Sequence, residues 1–129
     1  MGEALTRELI HRGWFVAMAD LHESTCLTHE FGPRAKFYHC NVASYESQAT
    51  VFDDVFKSRG RIDALCANAG IGDRGSVYIL NHRDKDEIPP APDTTCTDVN
   101  WKGVLYGTQL AVHFTVSYTH LTLPTKRIV

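Results

Sequence analysis

Ile62-Asp63-Ala64-Leu65-Cys66-Ala67-Asn68-Ala69-Gly70 is a short, mostly apolar run that closes on small residues and a glycine. A run of this length bounded by turn residues predicts a buried strand over 62–66. The small residues that end it let a backbone pass close to a bound ligand. In open α/β sheets ligands bind outside the carboxyl ends of the strands, which is where this turn falls.

On the amino side the chain reads as βα units that build the sheet for that strand. The spacing predicts a helix over 3–12 with Ala4, Leu5 and Leu9 as its apolar stripe, closed by Gly13 in the left-handed position. Residues 14–19 (WFVAMA) are nearly continuously apolar, as in a strand buried on both faces, and end at Asp20. A weaker helix over 24–31 carries Leu27 and Phe31 and stops at Gly32-Pro33; a second strand over 36–40 leads into Asn41-Val42. Ser44 is a good N-cap for a helix over 45–59 with Gln48, Phe52, Val55 and Phe56 inward and Gly60 as its stop. The order α-β-α-β-α-β with short connections predicts an α/β fold, a parallel sheet with helices on both faces. On the carboxyl side, residues 71–93 form a long polar loop with Gly72, Gly75, Pro89, Pro90 and Pro92, and such loops are usually functional or mobile. Helical periodicity returns over 94–114 through Val99, Leu105, Leu110 and Val112.

Composition narrows the function classes. The 129 residues are 43% hydrophobic and 22% charged with a formal net charge of −2, ordinary for a soluble globular protein. No basic stripe offers a footprint for nucleic acid, and no apolar run reaches membrane-spanning length, so a cytoplasmic location is expected. The four cysteines form no CxxC pair and the seven histidines no HExxH, so neither a disulfide framework nor a bound metal is expected.

Four positions carry candidate chemistry, each with a plainer alternative. Asp20, at a strand end, suits acceptance of hydrogen bonds from ribose hydroxyls and repulsion of a 2′-phosphate, or is a solvated carboxylate at a junction. Asn41 with the Val42 amide could meet an adenine edge, or form an Asx turn before the next helix. Asn68-Ala69-Gly70 could receive a ligand, with Asn68 bridging neighbouring strands, or be a plain turn. Asn100, inside a helix where asparagine is mildly unfavourable, either bonds a backbone group or positions a water, or is an ordinary polar residue.

Taken together, Gly2 before a helix, Asp20-Leu21 after a strand, Asn41-Val42, the Asn68-Ala69-Gly70 turn and Asp98-Val99-Asn100-Trp101-Lys102-Gly103 resemble the short-chain dehydrogenase/reductase family. The resemblance runs in order over residues 1–114. It implies a Rossmann-type doubly wound sheet, an NAD(P) cofactor and hydride transfer between the cofactor and a secondary alcohol or ketone. It makes Gly2 the last glycine of the phosphate loop and places Asp20, Leu21, Asn41, Val42, Asn68, Ala69 and Gly70 against the cofactor. Asn100 becomes the asparagine of the catalytic tetrad, helping to organise a proton-relay water. Asp20 favours NAD over NADP, and a homo-oligomeric parent is implied. CANAGI and GVLYGTQLAVHF are similar to the hydroxyprostaglandin-dehydrogenase-like branch.

The chain departs from that pattern at both ends. The family's first strand and most of its glycine-rich loop should precede Gly2, and no tyrosine here is followed by lysine at the fourth position. The expectation is an incomplete domain over 1–115 that does not catalyse by itself. Residues 116–125 read VSYTHLTLPT, the in-frame translation of a widely used transposase sequencing adapter, so 116–129 are expected to be a non-native tail. The rival readings are a non-catalytic dinucleotide-binding module and a Rossmann-like methyltransferase; the Asn-Ala-Gly turn and the Asp-Val-Asn helix argue against the latter.

Overall fold

A computed structural model of the chain describes residues 2–23, 29–75 and 82–119, with side chains to residue 115 in the last stretch. Helix α1 (Gly2–His11) leads into strand β1 (Val16–Asp20) through Gly13 at φ +86°, a value that glycine adopts without strain. The Gly13 N–H donates to the Ile10 carbonyl and the Trp14 N–H to that of Leu9, which closes the helix and turns the chain into the sheet. Strand β2 (Ala35–His39) lies parallel to β1, with Val16 opposite Ala35 and Asp20 opposite His39. Both strands therefore end on the same side, and the Cys40 N–H extends the pairing by donating to the Asp20 carbonyl at 2.9 Å.

Helix α2 (Tyr45–Arg59) has the bounds that the sequence predicts, because both end signals are local. The Ser44 hydroxyl accepts from the Ser47 N–H at 3.2 Å, and Gly60 sits at φ +71° with its N–H donating to the Phe56 carbonyl. Beyond the loop come a short helix α3 (Thr95–Thr97), a π turn (Asp98–Lys102) and the long helix α4 (Gly103–Thr119). The core has two parts. Ile10, Phe31 and Ala35 pack with Val16 and Met18 between α1 and the sheet. Phe52, Val55 and Leu110 are buried as α2 meets α4, where the Phe114 ring lies 5.8 Å from that of Phe52 and 5.3 Å from that of Phe56. Aromatic pairs of this kind add about 0.5–1.5 kcal/mol to the burial of their area.

The parallel α/β character expected from the sequence is present, but three expectations are corrected. Residues 62–66 form no strand, and the sheet has two strands among the described residues. A strand is defined by its ladder, and this stretch has none: it and β1 line the same cleft, of about 990 Å³. Ala4 and Leu5 are not the inward stripe of α1; Thr6 and Ile10 are buried, and Leu5 and Leu9 line that cleft. Nor do Leu105 and Val112 face the core. They are 51% and 57% exposed, and α4 turns Gly103, Gly107 and Leu110 inward. The two strands are also shifted by a residue or two from the predicted spans. The expected helix over 24–31 lies largely outside the described residues, as do positions 120–129 of the expected non-native tail; α4 runs on to Thr119.

Ser44→Ala removes the cap of α2 without touching the core, and is expected to lower the unfolding free energy by about 1 kcal/mol. Urea unfolding followed by circular dichroism reads this directly, and an unshifted midpoint would mean that the helix start is held by tertiary packing instead.

Candidate functional site

The carboxyl ends of β1 and β2, the 67–71 turn and the start of α4 meet on one side of the molecule. Asp20 ends β1 with an exposed side chain, its Oδ1 accepting from the His22 N–H at 3.2 Å. Leu21 follows it, half exposed. At the end of β2, Cys40 is buried. Burial pushes its thiol up, a hydrogen bond with Ser47 working the other way, so it stays a neutral thiol rather than a nucleophile.

Asn41 forms the Asx turn that was its plainer reading. Its Oδ1 accepts from the Ala43 N–H at 3.0 Å, while its own N–H donates to the Ser47 hydroxyl. Val42 packs under α4: a Cβ built on Gly103 would lie 3.1 Å from the Val42 carbonyl oxygen. Gln48 seals this contact, its Nε2 donating to the Val42 carbonyl at 2.7 Å and to the Gly103 carbonyl at 2.8 Å.

At the third corner, the Asn68 N–H donates to the Cys66 carbonyl, and its side-chain Nδ2 stands 3.0 Å from where a Cβ on Gly2 would be. Gly70 neither has positive φ nor lacks room, since a Cβ there would make only ordinary contact with Asn100 Oδ1 at 3.4 Å. Asn100 fastens this turn to the π turn. Its Oδ1 accepts from the Ile71 N–H and its Nδ2 donates to the Ile71 carbonyl, both at 2.9 Å. Nδ2 also reaches Cys96 Sγ, one helical turn back, at 3.2 Å. Of the alternatives for Asn100, the side chain takes the backbone-bonding one. The π geometry, in which the Gly103 N–H reaches back to the Asp98 carbonyl, is common where helices serve functional sites.

Gly2, Asp20, Val42, Asn68 and Ala69 all line the cleft between β1 and the extended 61–69 segment; Leu21, Asn41, Gly70 and Asn100 stand outside its lining. Three contributors were not singled out from the sequence: the second hydrogen bond of Gln48, the glycine at 107, and Cys96. The i,i+4 spacing Gly103-x-x-x-Gly107 was a usable signal for the close approach of α4, and Cys96 stands the same distance before Asn100. No group of three or more His, Cys, Asp or Glu side chains that could hold a metal ion occurs among the described residues. Among those residues, too, no helix is long and apolar enough to cross a membrane.

Parallel strands with an acidic residue closing the first and small-residue turns beyond them are the arrangement of an α/β domain of the dinucleotide-binding type. The chain belongs to the short-chain dehydrogenase/reductase family: the family model for short chain dehydrogenase matches residues 1–118. It is 44% identical over 134 aligned residues to the short-chain dehydrogenase/reductase prx6 of Penicillium rubens, an alignment spanning 100% of this chain and 44% of that protein. Over 47 residues, 36% of this chain and 18% of the relative, it is 45% identical to an NADP-dependent mannitol dehydrogenase of Aureobasidium melanogenum. The crystal structure of a 3-oxoacyl-[acyl-carrier protein] reductase from Brucella melitensis superposes with a TM-score of 0.74 at 26% identity, covering 90% of this chain and 46% of that one. The chain thus spans less than half the length of these relatives. Nothing among them supports the hydroxyprostaglandin-dehydrogenase-like branch.

Asn100→Ala cuts both bonds to Ile71 and is expected to speed amide exchange at Ile71 by about tenfold. Hydrogen exchange read by NMR checks this; an unchanged rate would show that the turn is held by something other than Asn100.

Proposed function

We propose that the protein is the cofactor-binding part of an NAD-dependent oxidoreductase that moves a hydride between the nicotinamide and a secondary alcohol or ketone. The observation that carries this reading is the family match over residues 1–118 together with Asp20 at the end of β1 and the Asn41-Val42 turn after the parallel β2. The residues present fit a dinucleotide. Asp20 offers an exposed carboxylate for ribose hydroxyls, Val42 sits at a turn for the adenine, and the small side chain of Ala69 leaves room for a backbone-close ligand. The redox chemistry is that of the nicotinamide when it is bound. On this reading Asn100 is a positioning residue, holding the 70–71 turn against α4 beside the reacting end; a proton-relay water would depend on the π turn, since the side chain is engaged by Ile71.

The cofactor choice rests on Asp20, whose charge opposes a 2′-phosphate; the NADP-dependent mannitol dehydrogenase, matched over only 36% of this chain, is the opposing precedent. The 129 residues contain no Tyr-x-x-x-Lys, so the chain by itself is expected to show no turnover. A non-catalytic binding module would share the cleft; what favours the enzyme is Asn100, whose clamp a mere nucleotide cradle does not need.

Asp20→Ser in the full-length protein is expected to lower the ratio of kcat/KM for NAD over that for NADP by about tenfold, the value of one charge-assisted hydrogen bond. Steady-state kinetics with both cofactors measures it, and a ratio that does not move would remove Asp20 from cofactor selection. We also propose a homo-oligomer formed through Trp101, Leu105 and Val112, large apolar residues exposed on the π turn and on α4. Trp101→Glu is expected to give a monomer by light scattering; an unchanged mass would place the interface elsewhere.

A further inference from the structure

Gln48 stands where the two halves of the proposed site meet. It is only 5% exposed, and its amide is clamped from three sides. One primary amide has two N–H groups, and here they answer two carbonyls from segments 61 residues apart in the chain, Val42 and Gly103. Its Oε1 lies 2.9 Å from where a Cβ on Gly107 would be, so the amide is pressed against the glycine face of α4. Val42 belongs to the turn after β2, and Gly103 closes the π turn that carries Asn100. The amide cannot shift without moving one of them.

A purely space-filling role needs no donors at this position. An unbranched apolar side chain would fill the same volume, whereas a buried amide is tolerated only when its hydrogen bonds are made. The donors are therefore the informative feature, and both point at elements of the site.

We propose that Gln48 is a positioning residue that sets the register between the adenine-side turn at Asn41-Val42 and the Asn100 helix, so that both ends of one dinucleotide are met at once. The inference rests on the cofactor reading above. Each half keeps its own local support without Gln48. The Asn41-Val42 turn retains the Asn41–Ala43 and Asn41–Ser47 bonds, and Asn100 retains both bonds to Ile71. Loss of Gln48 should accordingly spare ligands that touch one half and penalise those that span both, as happens when two linked contacts lose their common geometry.

The test uses the full-length protein with Gln48→Met, which keeps the shape and removes the donors, and Ile10→Val as a control for lost stability away from the site. Binding of AMP and of NADH is measured by calorimetry, with the thermal midpoint of each variant. For Gln48→Met, AMP affinity is expected to stay within about twofold and NADH affinity to fall about tenfold, while Ile10→Val changes neither. Gln48→Glu sets a carboxylate against two carbonyls at pH 8, and is expected to regain NADH affinity near pH 5, where a protonated acid restores one donor. Equal loss for AMP and NADH, or no loss for either, would overturn the positioning role and leave Gln48 a core residue. Wild-type protein that binds neither ligand would instead overturn the cofactor reading, and the inference with it.

Discussion

Helix α4 can lie against the turn after β2 only because two of its residues have no side chain. At Gly103 a methyl would press on the Val42 carbonyl, and at Gly107 it would meet both Gln48 Oε1 and Leu65 Cδ2, the latter at 3.2 Å. That approach brings Gln48 within reach of a helix carbonyl, sets Phe114 against Phe52 and Phe56, and delivers Asn100 to Ile71. A helix held a side chain further out would keep its hydrophobic burial in part and lose both polar connections, since hydrogen bonds fail over an ångström where apolar contact fades gradually.

The same close approach explains what was legible in the sequence and what was not. The limits of α2 follow from Ser44 and Gly60, and the exit of α1 from Gly13, because caps act through neighbouring backbone groups. Asp20 and Asn41 could be assigned to strand ends for the same reason. The face of α4 could not be read that way. Apolar periodicity put Leu105 and Val112 inside, yet glycine, which hydropathy patterns do not count as a core residue, marks the inward side. The run over 62–66 misled for a different reason: an apolar segment becomes a strand only where a hydrogen-bonding neighbour exists, and that is a property of the assembled sheet.

In the candidate site, the polar side chains divide their labour. Asp20 keeps its carboxylate exposed, whereas Asn41, Gln48 and Asn100 are spent on backbone groups and hold turns in place. A ligand reaching the strand ends would meet the Asp20 carboxylate beside turns whose polar side chains are already bonded. Such a surface is already organised before binding, so little ordering is left to oppose association.

The π turn at residues 98–102 has a meaning for how the helix is numbered by its faces. A turn of this kind takes up one residue more than an α turn, which rotates everything after it by about 100° relative to an uninterrupted helix. Asn100 can thus look toward Ile71 while Gly103 and Gly107 look toward Gln48, two directions that a single 3.6-residue period would not serve together. The extra residue acts as a phase shifter between the part of the helix that holds the turn and the part that anchors the fold.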